Sequence, residues 1–259
     1  MSKGALLLAT PHETIDYIGF AELAARLIQK HLGIDTHIHI GDAVPGNTRS
    51  FRWHNETVTV PWYNADRTLA FDISPFDQTL LVDVDYLTFN SDLLQYFNCN
   101  HEFLCYNKVW DVTQTESFFQ DLTMTRSGMP MLWATVVYFR KCNLAHKIFE
   151  SMKNIQKNWR YYAKFYGFRG GKYRNDFSLS IAHQLMSGYG TGNYFNHPLP
   201  SLSTEDTIYK IKDNELYIRY RYGATYNAVK IKDTNLHCMN KACLQDPEIN
   251  LALTEYAKP

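Results

Sequence analysis

The opening of the chain constrains the fold more than any other part of it. Ala5 to Thr10 (ALLLAT) is a short, uninterrupted apolar run, as expected of a strand covered on both faces of a sheet. Tyr17, Phe20, Ala21, Leu23, Ala24, Leu27, Ile28 and His31 then recur at helical spacing, and Gly33 suits the end of that helix. Thr36 to Ile40 reads as a second strand. Strand, helix and strand in so short a span predict a parallel pair joined by a crossover, with the helix lying over one face. No G-x-G-x-x-G turn follows the first strand, so the dinucleotide-binding version of this unit is not expected.

Further along, Thr79 to Asp83 (TLLVD) is another buried strand, Val109 to Val112 a short one and Met131 to Arg140 a long one. Ala43 to Arg67 reads as an irregular polar loop marked by Pro45, Gly46 and Pro61. Helices are expected over Asn143 to Trp159 and, after a Gly170-Gly171 turn, over Asn175 to Met186; Gly188 to Ser203 reads as a Gly/Pro loop. Thr207 to Lys212, Leu216 to Tyr220 and Tyr226 to Ile231 alternate polar and apolar residues, with a turn at Asp213-Asn214. The expected fold class is therefore α/β: a central, mostly parallel sheet flanked by helices, with a small antiparallel C-terminal extension. No repeat or linker divides the chain, so 1–259 is read as a single domain.

Composition narrows the partners. With 20% charged residues and a formal net charge of zero, the chain is neither disordered nor a general polyanion-coating protein. Cys99, Cys105, Cys142, Cys238 and Cys243 form no Cys-x-x-Cys pair and no zinc spacing, which fits free thiols in a reducing compartment. No apolar run reaches the length of a membrane span, and Gly4 to Thr10 is too short for a signal peptide. A soluble, cytoplasmic protein with no membrane partner is expected.

The chemistry concentrates at Asp83-Val84-Asp85. An apolar strand delivers this pair to its own carboxyl end, where ligands bind in open α/β sheets. Two carboxylates two residues apart meet at one point only if the strand is ending there. Such a pair, with diphosphate oxygens, is what Mg²⁺ or Mn²⁺ requires. The plain alternative is a pair of solvated strand-end residues.

With these elements in place, the chain resembles the GT-A nucleotide-sugar transferases, nearest to the galactosyltransferase-and-glycogenin-like family, and is similar to small glycosyltransferase-like proteins of tailed phages. The resemblance spans nearly the whole chain in order: strand-helix-strand, Asp-x-Asp, a middle strand, an Asp heading a helix, and a late His followed by Lys in NLHCMNK, Asn235 to Lys241. It implies that Asp83 and Asp85 bind the metal, that His237 is its third protein ligand, and that Lys241 meets the diphosphate. It makes Asp176 the residue beside the transferred sugar and the acceptor hydroxyl, and gives Arg67 and Asp77 contacts to the nucleotide. The implied cofactors are Mn²⁺ or Mg²⁺ and a nucleotide-sugar donor, a UDP-sugar foremost; a phage-encoded enzyme would act in the host cytoplasm. In each case the residue type also has a bland reading: a surface His, a solvated Lys, or a first-turn carboxylate favoured by the helix dipole. Trp133-Ala134-Thr135 stands where the family commonly has Asn-Ala-Gly, so Trp133 is read either as a sugar-stacking ring or as core.

From Ser151 to Asn175 there is no acidic residue, and lysines and arginines alternate with aromatics. Lys210, Lys212, Arg219, Arg221, Lys230 and Lys232 add pairs spaced by two in the late strands. These point either to an anionic acceptor, such as DNA carrying hydroxymethylated pyrimidines, or to an ordinary solvated surface. Two rival functions stay open at this point. A nucleotidyltransferase would bring a Gly-rich phosphate loop, where this chain has Ala9-Thr10-Pro11-His12. A non-catalytic nucleic-acid-binding module would use the 151–175 stretch and need no acidic pair.

Overall fold

The protein is described from a computed structural model, which covers residues 1–41, 48–53, 56–61, 65–115, 124, 128–168, 172–188 and 192–258. Its strands are β1 (Lys3–Ala9), β2 (Asp35–Ile40), β3 (Thr48–Trp53), β4 (Glu56–Pro61), β5 (Gln78–Val82), β6 (Tyr86–Leu87), β7 (Phe103–Tyr106), β8 (Val109–Asp111), β9 (Trp133–Arg140), β10 (Leu199–Leu202), β11 (Thr207–Lys212), β12 (Glu215–Tyr222), β13 (Thr225–Lys232) and β14 (Leu236–Cys238). Its helices are α1 (Tyr17–Leu32), α2 (Ala70–Ile73), α3 (Asn143–Lys157), α4 (Trp159–Phe165), α5 (Asn175–Met186), α6 (Lys241–Gln245) and α7 (Pro247–Tyr256).

The central sheet has the order β2-β1-β5-β9-β7. β1 pairs in parallel with β2 and β5, whereas β9 is antiparallel to both β5 and β7. Four strands thus share one direction and β9 alone is reversed, which makes the sheet mixed but mostly parallel. Alternation along the strands sorts the core into two layers. Ala5, Leu7, Leu80 and Val82 pack with Phe20, Leu27 and Ile28 of α1. Leu6, Leu81 and Val137 face the other way, against Ile148 and Phe149 of α3 and Ile181 of α5. α1 begins where the Asp16 carboxylate accepts from the Gly19 amide at 2.8 Å, and stops at Gly33, whose φ of 62° is the left-handed conformation open to glycine.

Several boundaries differ from the sequence reading. Within the supposed 43–67 loop, β3 and β4 form an antiparallel hairpin; Pro45 and Gly46 lie outside the described residues, as does the Gly170-Gly171 turn. The Asn143 to Trp159 helix is two helices, broken at Asn158. The 188–203 Gly/Pro segment contains β10, which joins a second sheet of order β6-β14-β10-β8. Those strands have only two to four residues each, too few for a period to register; β8 alone was expected, at Val109 to Val112. The C-terminal extension is as expected: β11, β12 and β13 form an antiparallel unit, and Asp213 and Asn214 turn with φ of 49° and 64°. Among the described residues no helix is long and apolar enough to cross a membrane.

One core residue carries a pH dependence. His183 on α5 is 6% exposed, stacks on Tyr194, and its Nδ1 has no hydrogen-bond partner among the described residues. Burial lowers its pKa to about 4. A depressed folded-state value means that the unfolded chain binds the proton first. Stability from this group is therefore complete above pH 6.5 and is lost as pH falls from 6.5 through 4, by about 3 kcal/mol in all. Urea midpoints of His183→Gln should fall less over that window than those of the unmodified protein, and parallel curves would refute the assignment.

Candidate functional site

The site is built by the end of one strand and by the second sheet. β5 runs out at Val82, and the chain turns at once: the Tyr86 amide donates to the Asp83 carbonyl at 3.0 Å, while the Asp83 amide still donates to the Thr135 carbonyl of β9 at 2.8 Å. A turn at this point breaks the alternation of side chains, so Asp83 and Asp85 face the same place. β6 then pairs with β14, His237 opposite Tyr86, and the Cys238 amide donates to the Asp85 carbonyl at 2.9 Å. This short antiparallel contact carries His237 across 150 residues of sequence to the acidic pair.

Asp83, Asp85 and His237 each turn one ligating atom inward, all within 4.8 Å of one another. His237 Nε2 lies 3.6 Å from Asp85 Oδ1, and Ser201 Oγ of β10 lies 3.3 Å from the other ring nitrogen, Nδ1. Such a contact on the far nitrogen fixes the orientation of an imidazole that ligates through the near one. Burial lowers the His237 pKa, with Lys241 and Arg67 adding to that direction against the pull of Asp85 and Asp176, which favours the neutral ring that a metal needs. Two carboxylates and a neutral imidazole suit Mn²⁺, and with fewer nitrogen ligands Mg²⁺.

Two cations balance the acids. The Arg67 guanidinium, 2% exposed, donates from Nη1 to Asp83 Oδ1 at 2.5 Å; its Nε and Nη2 have no partner among the described residues. Lys241, at the first turn of α6, donates to Asp85 Oδ2. The two carboxyls respond oppositely. Burial, with the like charges of Asp85 and Asp176, raises the Asp83 pKa above the usual carboxylate range in spite of Arg67. Burial acts on Asp85 in the same sense, but His237 and Lys241 outweigh it and leave its pKa lowered. For Lys241, burial disfavours the charged form, and Asp85 more than offsets that, so its pKa is raised.

Asp176 stands on the opposite wall, at the first turn of α5. Its Oδ1 accepts from the Ala134 amide of β9 at 2.9 Å and its Oδ2 from Arg174 at 2.8 Å. Its helix is fastened below by Ser180 Oγ, which accepts from the Leu132 amide at 2.7 Å. Between the walls is a cavity of about 670 Å³. Of the expected site residues, Arg67, Asp83, Asp85, Asp176, His237 and Lys241 line it, and Asp77 does not. Trp133 lines it too while only 4% exposed, so it is at once core and cavity wall.

Other expectations part from this grouping. Asp77 is at the amino end of β5, where its carboxylate accepts from the Ser2 amide at 2.8 Å, across the sheet from the cavity. The basic, aromatic stretch is not one face. Trp159 and Tyr173 are buried, and Lys153 pairs with Asp72 and Glu150; Arg160, Tyr161, Lys164 and Phe165 are exposed, Lys172 and Arg174 reach the cavity, and Arg169 lies outside the described residues. The sequence reading missed Tyr17 and Thr10 as cavity residues and Ser201 as the partner of His237. Tyr17 and Thr10 follow the carboxyl end of β1, a position that the rule for ligand sites in open sheets would have flagged. Ser201 left no signal, because β10 itself left none.

No protein-family model matches the chain, and no curated protein sequence matches it. Solved structures similar to it include galactosyltransferase LgtC in complex with donor and acceptor sugar analogs, at 14% identity over 69% of this chain and 70% of that one, with a TM-score of 0.41. The catalytic domain of Drosophila β1,4-galactosyltransferase 7 in complex with xylobiose is 13% identical over 77% of this chain and 67% of that one, TM-score 0.40. Mouse xyloside xylosyltransferase 1, in its apo form, is 12% identical over 77% of this chain and 85% of that one, TM-score 0.42. These likenesses concern the fold alone.

Proposed function

We propose that the protein is a metal-dependent glycosyltransferase that moves a sugar from a nucleotide-diphosphate donor, a UDP-sugar foremost, to an acceptor hydroxyl. The observation that carries this reading is the convergence of Asp83, Asp85 and His237 within 4.8 Å, beside Lys241 and Arg67, on a cavity of about 670 Å³ at the carboxyl end of the central sheet. That volume suits a small organic ligand. Asp83, Asp85 and His237 would hold Mn²⁺ or Mg²⁺, which when bound supplies positive charge to the departing diphosphate. Lys241 adds a point charge to the same diphosphate, and Arg67 offers to an anionic group the two donors that have no partner among the described residues. Asp176, locked by Arg174 and the Ala134 amide, is positioned to accept a hydrogen bond from a sugar or acceptor hydroxyl. Most of the rate would come from stabilising charge on the leaving group.

For the acceptor we propose a hydroxyl on an anionic molecule, with hydroxymethylated pyrimidines in DNA as the first to test, because Lys172 and Arg174 line the cavity. The primary experiment is a thermal-shift panel of nucleotide sugars with and without Mn²⁺. A ligand at a hundredfold excess over its Kd should add about 2.7 kcal/mol of stability. The expected result is a shift for one nucleotide sugar that requires the metal; a panel with no metal-dependent shift would sink the reading. The rival of a non-catalytic binding module predicts no such shift.

A further inference from the structure

The outer face of the C-terminal sheet is charged in a way that the cavity does not use. Register places Lys210 opposite Tyr217 and Tyr217 opposite Lys230; Lys212 and Lys232 lie opposite Glu215, and Arg221 opposite Tyr226. Arg219 lies in the same row of β12. On the other face of these strands Ile208, Leu216, Ile218 and Ile231 are buried in the core, while the far end at Tyr222 is exposed. One face of three strands therefore carries six cations, all exposed, in a chain whose formal net charge is zero; Glu215 pairs with Lys230 at 3.0 Å and Asp213 of the turn lies 3.7 Å from Lys212.

Aromatic rings share that face. A register shift between Ile208 and Lys210 turns Tyr209 outward, where the Arg219 guanidinium lies 5.1 Å from its ring centre. Lys210 Nζ lies 5.2 Å from the Tyr217 ring, and Tyr226 is 72% exposed. Lysines on edge strands are a common defence against strand pairing, which accounts for those on β11 and β13. It does not account for Arg219, which sits on the central strand between Thr207 and Ala228; Arg221, beyond the end of β11, is paired with Tyr226 of β13 alone.

We propose that this face binds single-stranded nucleic acid. Cations spaced roughly 6.8 Å along a strand, and two strands or about 9.6 Å apart across the rows of Tyr217 and Glu215, form an array of phosphate contacts, and the tyrosine rings between them offer flat surfaces to unpaired bases. An anionic membrane would also meet the charge. Yet the face presents tyrosines with polar tips and no Phe, Leu, Ile or Trp to enter hydrocarbon. The proposal stands apart from the glycosyltransferase reading, since none of these residues lines the cavity.

The test is fluorescence anisotropy of a labelled oligo-dT of about 15 nucleotides with the full chain. The intact protein should bind with a steep salt dependence. Arg219→Glu/Arg221→Glu should weaken binding at least tenfold and reduce the log-log salt slope by about 1.4, two single-strand phosphate contacts. Tyr226→Ala should cost about tenfold at unchanged charge. Melting curves check that each variant is folded, and Arg219→Gln/Arg221→Gln replaces the reversed pair if it is not. The metal-dependent nucleotide-sugar shift should survive in all of them, so either reading can fail without the other. Absence of dT binding would overturn the proposal. So would tighter binding to duplex, preference for phosphatidylserine vesicles over dT, or a Tyr226→Ala variant that binds dT and heparin as the intact protein does.

Discussion

An Asp85→Asn variant is expected to lose the metal-dependent stabilisation by nucleotide sugar and to lower turnover by a factor of about 10²–10³. Asp85 is the hub of the cluster: one oxygen faces His237 Nε2 at 3.6 Å and the other accepts from Lys241. The amide keeps the size of the side chain but removes the charge that attracts a dication. It also leaves Lys241 with one charged partner fewer. Removing one member of a fully buried pair costs about 3–5 kcal/mol, but Lys241 is 29% exposed and can turn to solvent, so the loss in the ligand-free protein should be smaller. Titrating Mn²⁺ against the melting temperature separates the two effects. A folded Asp85→Asn protein that kept its Mn²⁺-dependent shift would remove the acidic pair from the proposed site.

Arg67→Met should weaken the ligand-free protein too. The guanidinium is 2% exposed and its Nη1 pairs with Asp83, so its loss leaves that carboxylate without the cation that offsets its burial. Asp83 is 29% exposed and can turn to solvent, so the melting temperature should fall by less than the loss of a fully buried pair would bring. Donor binding should fall sharply, by about 2–5 kcal/mol, because a desolvated cation aimed at an anion is lost. Isothermal titration with the nucleotide sugar identified in the panel reads this directly. Unchanged affinity would make Arg67 a partner for Asp83 and nothing more.

Much of the fold was legible because its signals are local. The apolar run of β1, the helical spacing of α1 and Gly33 at its end each follow from residues a few positions apart. The alternation of β11 to β13 and the Asp213-Asn214 turn are local too. The reversed direction of β9 was not legible. A strand covered on both faces reads the same whichever way it runs, and its burial pattern is continuous from Trp133 to Phe139. Of the second sheet only β8 was read, at Val109 to Val112; β6, β10 and β14 escaped notice because they are too short to repeat anything.

The same division runs through the site. Asp83-Val84-Asp85 was readable because an apolar strand leads straight into it, and a strand end is where a sheet binds ligands. Sequence by itself therefore determined the layered α/β class, the acidic pair and its place at a carboxyl edge. Only the tertiary structure decided that His237 and Lys241 meet that pair, that Asp176 faces it across a cavity while Asp77 does not, and that the late cations share one face. The reason is physical: a strand or helix repeats within a few residues and leaves its period in the chain. A site formed by elements 150 residues apart leaves no period, and is fixed only when hydrogen bonds such as Cys238 N–H to the Asp85 carbonyl close the fold.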